Sequence, residues 1–474
     1  MSAPRASLDQ VPGANQRTPV PATSRWLVLL VMCTGYFLVL LDVTVVNVAL
    51  PQLGDRLGTG VAGLQWVVDG YAVPLAALLL VGGSLGDVVG HKRVVLGGLV
   101  LFGLASLACG LAPTTGVLVA ARVLQGVGAA LLLPGTLAII ADTFPDRREQ
   151  ARAIGIWASV GSAALPAGPL LGGALVEGLG WRAVFLVNAP IVLVAAVLAV
   201  RVVRDRPPSG TTDRGPDWPG SATAVVALGA LVLGIVELGH RSTGFGLVAL
   251  AAAAVAVGGF LLVEHRSPHP MLPLDLLLRR QFVAANAVAG AMNLGTLGTL
   301  FLITLYLQTV QQRSPLGAGV ALLPLFLPLT VLAPYAGRLA SRRGPRLPMV
   351  LGLLVGAVGV ALLLTASVRS AYPVLLPALL AWGVGLGLLT PAVVAAAIAA
   401  VGPERSGLAS GANNTARQAG GALGIAIYGA VAGPPDSAGS FVAGMHAMAT
   451  TTAVLWLAAA GVTLGCVGRG ERDR

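Results

Sequence analysis

The chain has 474 residues, 56% of them hydrophobic and 10% charged, with a net charge of +11 and a mean hydropathy of +0.84. A soluble globular chain carries about 25% charged residues, so this one cannot cover a water-facing surface, and a soluble enzyme or binding domain is excluded. The basic excess lies in short loops between apolar runs, which points to membrane topology and not to a nucleic-acid face.

Residues 1–25 are polar and proline-bearing with no cleavable signal pattern, and are expected to form a disordered cytoplasmic tail. Fourteen apolar runs near spanning length follow: Trp26–Leu50, Leu64–Leu85, Val94–Leu111, Gly116–Ala141, Ile154–Leu175, Val184–Val203, Pro219–Leu238, Gly244–Val263, Phe282–Leu307, Gly317–Ala340, Met349–Ser367, Tyr372–Ala400, Ser406–Ala432 and Phe441–Val467. Each is long enough for a membrane helix of about 20 residues. An even number of spans puts both termini on one side. The loops and tails of one side carry 23 of the 30 lysines and arginines and those of the other only five, Arg56, Arg182, Arg241, Arg313 and Arg369. The rich side is cytoplasmic by the positive-inside rule, so both termini are expected there, in a multi-pass cell-membrane protein.

A repeat organises the spans. Gly83, Leu85 and Gly90, after the second run, recur as Gly337, Leu339 and Gly344 after the tenth, at a constant offset of 254. Parallel repeats of this kind are typical of secondary transporters. The expected layout is a six-helix half over 26–203, a cytoplasmic linker over 204–217, an inserted two-helix segment over 218–264, an amphipathic cytoplasmic stretch over 265–280, a second six-helix half over 281–467 and a tail over 468–474. The fold class is thus all-α, with 14 transmembrane helices arranged 6+2+6.

Several local patterns resemble one family. Leu41-Asp42-Val-Thr-Val-Val-Asn47-Val-Ala-Leu-Pro51 looks like a first-helix signature, and Gly83-Ser-Leu-Gly-Asp87-Val-Val-Gly90-His-Lys92-Arg93 like the loop motif between helices two and three. Arg122-Val-Leu-Gln125-Gly126-Val-Gly128 is similar to a fourth-helix motif, and Pro166-Ala-Gly168-Pro169-Leu-Leu-Gly172-Gly173 to the antiporter motif of helix five. Trp66–Tyr71, Trp181–Pro190 and Ser406–Asn414 extend the match. Together they resemble the fourteen-span drug:proton antiporters of the major facilitator superfamily, and within these the actinobacterial antibiotic-resistance exporters of the methylenomycin-resistance type. The resemblance implies major facilitator architecture and proton-driven export of small drug-like or antibiotic molecules, with a gate latch at Asp87 that favours the outward-facing state. Two departures stand out. Val88 replaces the basic residue after Asp87, leaving Lys92, Arg93 or another group as its partner; Ala164 replaces the first glycine of the antiporter motif.

Charge inside a membrane is costly and functional by default. Asp42 lies about 24 Å along the first span, and Asp69 and Arg122 enter their spans by about 8 and 9 Å from outside. The three are expected to meet in the first half as a proton-coupling site, the alternative being a static ion pair that fixes packing. Burial opposes the charged form of a carboxylate and a nearby guanidinium favours it, so their competition can leave Asp42 able to gain and lose a proton. Gly83, Asp87, Gly90, Lys92 and Arg93 form the expected gate, with an ordinary solvated loop charge as the alternative for Asp87. Gly168, Pro169, Gly172 and Gly173 let helix five bend and pack closely. Asn47, Gln125, Asn286, Asn293, Gln308, Asn413 and Gln418 are candidates for a substrate cavity, or for hydrogen bonds between helices. Arg417, mid-helix, either snorkels or meets substrate.

No Gly-Lys-Ser/Thr phosphate loop occurs, since the only lysine is Lys92 before Arg93, so no ATP and no cofactor is expected, only the proton gradient. No His-Glu-x-x-His or nucleophile–base set points to an enzyme, and Cys33, Cys109 and Cys466 lie apart in apolar runs without metal spacing. The expected partners are a small-molecule substrate, protons and lipid, with no nucleic acid, and the chain is expected to act as a monomer. Rival readings are a metabolite facilitator or importer on the same fold, a membrane-embedded enzyme and a non-transporting scaffold.

Overall fold

The computed structural model describes residues 22–204, 217–239, 243–268, 270, 272–401, 405–432 and 437–468. Among these, every regular element is helical: α1 Ala22–Leu57, α2 Val61–Val89, α3 His91–Gly110, α4 Thr115–Thr143, α5 Arg147–Leu179, α6 Arg182–Val202, α7 Trp218–Gly239, α8 Thr243–Arg266, α9 Arg280–Leu305, α10 Leu323–Arg343, α11 Arg346–Ala361, α12 Leu376–Ala399, α13 Ser406–Ala432 and α14 Ala438–Cys466. With no water in a bilayer core, only structures that bond their own backbone are stable, and helices do so segment by segment.

Thirteen of these helices are long and apolar enough to cross a membrane. The exception is α13, whose 27 residues suffice in length but include Asn413, Asn414, Arg417 and Gln418, which lower its hydropathy. Several helices outrun the apolar runs because local devices end them. The Thr114 hydroxyl accepts from Val117 N at 3.4 Å to open α4, and Asp146 accepts from Arg148 N and Glu149 N at 3.0 Å to open α5. The tenth run is not one helix: a short helix, Pro315–Ala321, precedes α10. Pro324 lacks the N–H that would continue it. Pro190 breaks α6 in the same way, between Leu186 and Asn188.

The helices pack in two groups. In the first, α1 lies on α5, α2 and α3 on α4, and α3 on α6; in the second, α9 lies on α13 and α14, and α12 on α10 and α11. The loop repeat extends into this packing. Gly90 and Gly344, at equivalent positions, end α2 and α10 with φ of +103° and +81°, a conformation that costs a β-carbon dearly. A Cβ on Gly126 would stand 2.4 Å from the Tyr71 carbonyl oxygen, and one on Gly383 2.2 Å from that of Leu325. Gly98 meets Gly128, and Gly352 meets Gly385, in the same manner. Backbone-to-backbone approach at small residues is how membrane helices associate without a hydrophobic drive.

Helices α7 and α8 pair with each other, and α7 also packs on α2 and α13, with Val73, Val232, Val236, Ala422 and Ala426 as a small buried core. The stretch 265–280, amphipathic in its sequence, joins α8 to α9. Among its described residues, α8 runs on to Arg266 and only Leu274–Leu278 forms a 3-10 turn. Leu276 is buried against Phe282, Ala409 and Ala412 while Leu278 is 84% exposed, and Asp275 pairs with Arg405 at 2.7 Å. Pro268, Pro270 and Pro273 prevent a longer helix.

Candidate functional site

The sequence places acid and base on different helices, and the fold brings two of them together. Arg122 of α4 donates through one guanidinium N–H to Asp42 Oδ2 on α1, and the same nitrogen donates to Gln125 Oε1 at 2.8 Å. Its Nε donates to the Val67 carbonyl of α2 at 2.9 Å. Gln125 completes the group, donating from Nε2 to Asp42 Oδ1 and to Ser106 Oγ on α3, each at 2.9 Å. The Arg122 guanidinium lies 4.4 Å from the Tyr71 ring centroid and 5.8 Å from that of Phe185, a cation–π cage, while the Tyr71 hydroxyl donates to the Val39 carbonyl at 3.0 Å. Asp42, Arg122 and Gln125 are all buried. Both carboxylate oxygens are thereby occupied, one by a cation, which is the arrangement that makes a dry ion pair tolerable.

Asp69 does not join them. It is fully buried on α2, and neither of its oxygens has a hydrogen-bond partner. Helical spacing explains this. Gly70, the next residue, is the one that faces Arg122. Asp69 shares a stripe with Gln65 and Val73, one turn to either side. Gln65 donates to the Ile425 and Ala426 carbonyls of α13 at 3.1 and 2.7 Å, and Val73 belongs to the α7–α13 core. Equal depth, inferred from the sequence, did not mean a shared helix face.

Beside the ion pair runs a narrow gap between the two groups of helices, lined by Asn47, Val68, Tyr71, Arg122, Leu297 and Gln418 among others. Of the amides expected in a cavity, Asn47 and Gln418 line this gap. Asn293 lies buried one turn before Leu297. The others have structural partners: Gln125 belongs to the ion pair, Asn413 donates to Asn286 Oδ1 at 3.3 Å, and Gln308 donates to the Val48 carbonyl at 3.0 Å across the two groups.

The antiporter motif packs α5 against α1 and against the short helix Pro315–Ala321 of the second group. A Cβ on Gly168 would stand 1.9 Å from Thr44 Oγ1, and one on Gly172 2.9 Å from a Val45 methyl, so these glycines let α5 settle into α1. Gly173 faces Pro315 and Leu316, and a Cβ on Gly319 would stand 2.1 Å from the Pro169 carbonyl oxygen. Glu177 accepts from Leu316 N at 3.3 Å. Ala164, in place of the motif's first glycine, is fully buried in the core, so a methyl is accommodated there.

The loop motif lies at the opposite end of α2. Asp87 is paired not with Lys92 or Arg93 but with His91, one turn on, at 3.2 Å. A Cβ on Gly86 would stand 2.3 Å from His91 Nδ1, so it is Gly86, more than Gly83, that seats this ring. Lys92 instead donates to the Val200 carbonyl at 3.0 Å. Among the described residues Asp87 makes no bond to the second group of helices, and its side chain is 64% exposed. Tyr71, Ser106, Phe185 and Gly319 escaped the sequence reading; only Tyr71 and Phe185 fell inside quoted motifs, and nothing local marks the other two.

Residues 32–425 match the family model described as Major Facilitator Superfamily. The chain is 35% identical to the methylenomycin A resistance protein of Streptomyces coelicolor, over 88% of this chain and 89% of that one. It is 36% identical to the multidrug resistance protein Stp of Mycobacterium tuberculosis (85% and 75% covered) and 36% identical to the puromycin resistance protein pur8 of Streptomyces alboniger (90% and 86% covered). Among solved structures it resembles a peptide transporter POT in complex with sulfate, with a TM-score of 0.68 at 17% identity over 92% of this chain and 94% of that one. A bacterial homologue of the human lysosomal transporter Spinster gives a TM-score of 0.64 at 18% identity over 93% and 96%.

Proposed function

Since the chain belongs to the Major Facilitator Superfamily, we propose that it is a proton-coupled antiporter that exports small drug-like or antibiotic molecules across the cytoplasmic membrane and so confers resistance. The observation that carries this reading is the buried Asp42–Arg122–Gln125 group beside a gap between two helix groups. A carboxylate kept dry and balanced by one guanidinium changes its protonation when either its solvation or that partner changes. A cavity that opens alternately to the two sides makes both change, and the proton so moved drives the substrate the other way. The relatives named for resistance to methylenomycin A, puromycin and multiple drugs support the substrate class. No group in this scheme requires ATP or a cofactor. The test is purified protein in liposomes under an imposed pH gradient, with an antibiotic panel on the acceptor side. Gradient-dependent accumulation of at least one compound is expected, and its absence for the whole panel removes the reading.

The architecture belongs to the same proposal: fourteen spans in a 6+2+6 order, α13 being the fourteenth, with both termini cytoplasmic. Charge bias supports the sidedness, and the doubled glycine contacts support the two halves. Reporter fusions are expected to read inside at residues 210 and 405 and outside at 58 and 435; a cytoplasmic signal at 435 breaks the model.

On this orientation the seam at Gly173 and Gly319 faces outward, and Asp87 stands at the cytoplasmic mouth without its latch contact. We assign Asp87 to a latch that engages when the cytoplasmic side closes. Asp87→Asn is expected to lower transport at least severalfold with expression and thermal stability unchanged, because an exposed charge contributes about 0–1 kcal/mol to folding. Unaltered transport in vesicles removes the latch. Asp69 is kept as a second candidate for proton exchange, on the seam among α2, α7 and α13 and apart from the ion pair.

A further inference from the structure

Two buried amides tie the helix groups together, each donating to the main chain of the other group. Gln65 of α2 donates from Nε2 to the Ile425 and Ala426 carbonyls of α13 at 3.1 and 2.7 Å. Gln308, in the π-helical turn Tyr306–Val310 that ends α9, donates from Nε2 to the Val48 carbonyl of α1 at 3.0 Å. Both side chains are buried. A glycine makes the first tie possible. A Cβ on Gly429, one turn after Ile425, would stand 2.4 Å from Gln65 Nε2 and 2.6 Å from its Cδ, so a side chain at 429 would push the amide off the carbonyls.

Both ties lie toward one end of the molecule. Gln65 is in the second turn of α2, whose far end carries Asp87. Residues 58–60 alone separate α1 from α2, which puts the last turns of α1 on the same side. Gln308 precedes the short helix Pro315–Ala321, where Gly319 meets Pro169. On the orientation proposed above, this end faces outward.

The ties are also built to be undone. A main-chain carbonyl has two lone pairs, so Ile425, Ala426 and Val48 can accept from a glutamine without giving up a helical bond, and nothing in either helix breaks when the amide leaves. Gln65 Oε1 is buried with no hydrogen-bond partner. A buried acceptor left without a donor is costly, and water reaching this level would supply one. The closed arrangement therefore gains two bonds at Gln65 while carrying one unmet acceptor, which hydration on opening relieves.

We propose that Gln65 and Gln308 are reciprocal outer latches: they hold the two groups together while the gap is shut off from the outside, and they let go when it opens there. They are positioning residues that set the balance between the two states through α13 and α1. This rests on the orientation and the alternating access of the exporter reading, but its test needs neither a drug nor a pH gradient.

The reporter is Asn47→Cys, next to Val48 and lining the gap, with Cys33, Cys109 and Cys466 replaced by serine and an impermeant maleimide added to intact cells. Gln65→Met keeps the length of the side chain and removes the donor. It is expected to speed labelling about five- to tenfold, the scale of one net hydrogen bond, with thermal stability near that of the parent. Gln308→Met should act in the same direction, and the double variant should exceed either. A second construction runs the other way and does not depend on those variants folding. A Cβ on Gly429 would stand 2.9 Å from Gln65 Cγ, so Gln65→Cys combined with Gly429→Cys is within disulfide reach. Once the bridge is verified, labelling of the reporter should fall at least tenfold and return with reductant. Labelling unmoved by Gln65→Met and Gln308→Met, or unmoved by the bridge, overturns the latch. Failure of gradient-driven transport alongside latch-dependent labelling strikes the exporter reading and leaves this one; gradient-driven transport that persists in the bridged protein does the reverse.

Discussion

Asp42→Asn is expected to abolish proton-driven efflux while leaving the protein folded. Asparagine has nearly the shape of aspartate, so α1 still fits against α4, and its carbonyl still accepts from Arg122 or Gln125. What it lacks is a proton to exchange. The variant leaves Arg122 buried without its anion, which costs more than a lost neutral contact, and some fall in thermal stability accompanies the loss. The effect on transport is the larger one. One charge moved across 100 mV is worth about 2.3 kcal/mol, or roughly fifty-fold accumulation, and all of that disappears if Asp42 is the carrier. Drug-induced proton release in liposomes is the measurement. Normal exchange by Asp42→Asn would falsify the coupling role and pass it to Asp69, whose own variant, Asp69→Asn, is then the one expected to be silent.

Gly319→Ala should unlock the end of the gap that reads as external. The added methyl would stand 2.1 Å from the Pro169 carbonyl oxygen and 2.7 Å from its carbon. These are backbone atoms of α5 that cannot swing aside. Overpacking of this kind costs about 1–3 kcal/mol, and here the strain exists only while the short helix Pro315–Ala321 lies against α5. Separation of the halves at that end relieves it. Every 1.4 kcal/mol is a tenfold change in population, so the state closed outside falls by roughly ten- to a hundredfold and transport drops with it. A cysteine introduced as Asn47→Cys, in a background with Cys33, Cys109 and Cys466 replaced by serine, should then react faster with an impermeant maleimide added outside. Gly319→Ala with unchanged labelling and unchanged transport means that the seam between Pro169 and Gly319 does not open during the cycle. Gly168→Ala provides the contrast. Its nearest neighbour is the Thr44 side chain within the same helix group, so it should disturb α1–α5 packing without exposing Asn47.

The inserted pair α7–α8 has a definite place in this picture. By packing on both α2 and α13, α7 bridges the two groups along one seam, and Asp69 lies in that seam. The neutral form of an acid is the cheap one among apolar neighbours, so opening this seam to water and ionising Asp69 favour one another.

The doubled glycine contacts also show how far the two halves differ. Gly126 and Gly128 on α4 correspond to Gly383 and Gly385 on α12, an offset of 257. The same offset carries Arg122 to Leu379 and Gln125 to Trp382, both fully buried and apolar or nearly so. One half keeps the ion pair and the other fills its place with hydrocarbon and indole. At this position the ion pair belongs to one half alone, as expected if Asp42 and Arg122 are retained for something other than packing.

Much of this was legible in the sequence because the bilayer leaves so few choices. Long apolar runs had to become helices, and the loop motif repeated at offset 254 ends two of them in the same way, at Gly90 and Gly344. The Asp42–Arg122 pair was legible for the same reason, since two opposite intramembrane charges at equal depth in one half have to find each other or remain costly. Other features depended on rotation about a helix axis and on which backbone meets which. Asp69 faces α13 because it is one turn from Gln65, Asp87 meets His91 because Gly86 makes room for the ring, and Gln125 was drawn into the ion pair while Asn286 and Asn413 paired with each other. A run of apolar residues states that a helix spans but hardly marks which face is inward, because lipid and protein interior are alike as solvents for leucine. That choice is made by close contacts between small residues on helices far apart in the chain, Gly319 on Pro169 and Gly126 on Tyr71, and so it belongs to the tertiary structure alone.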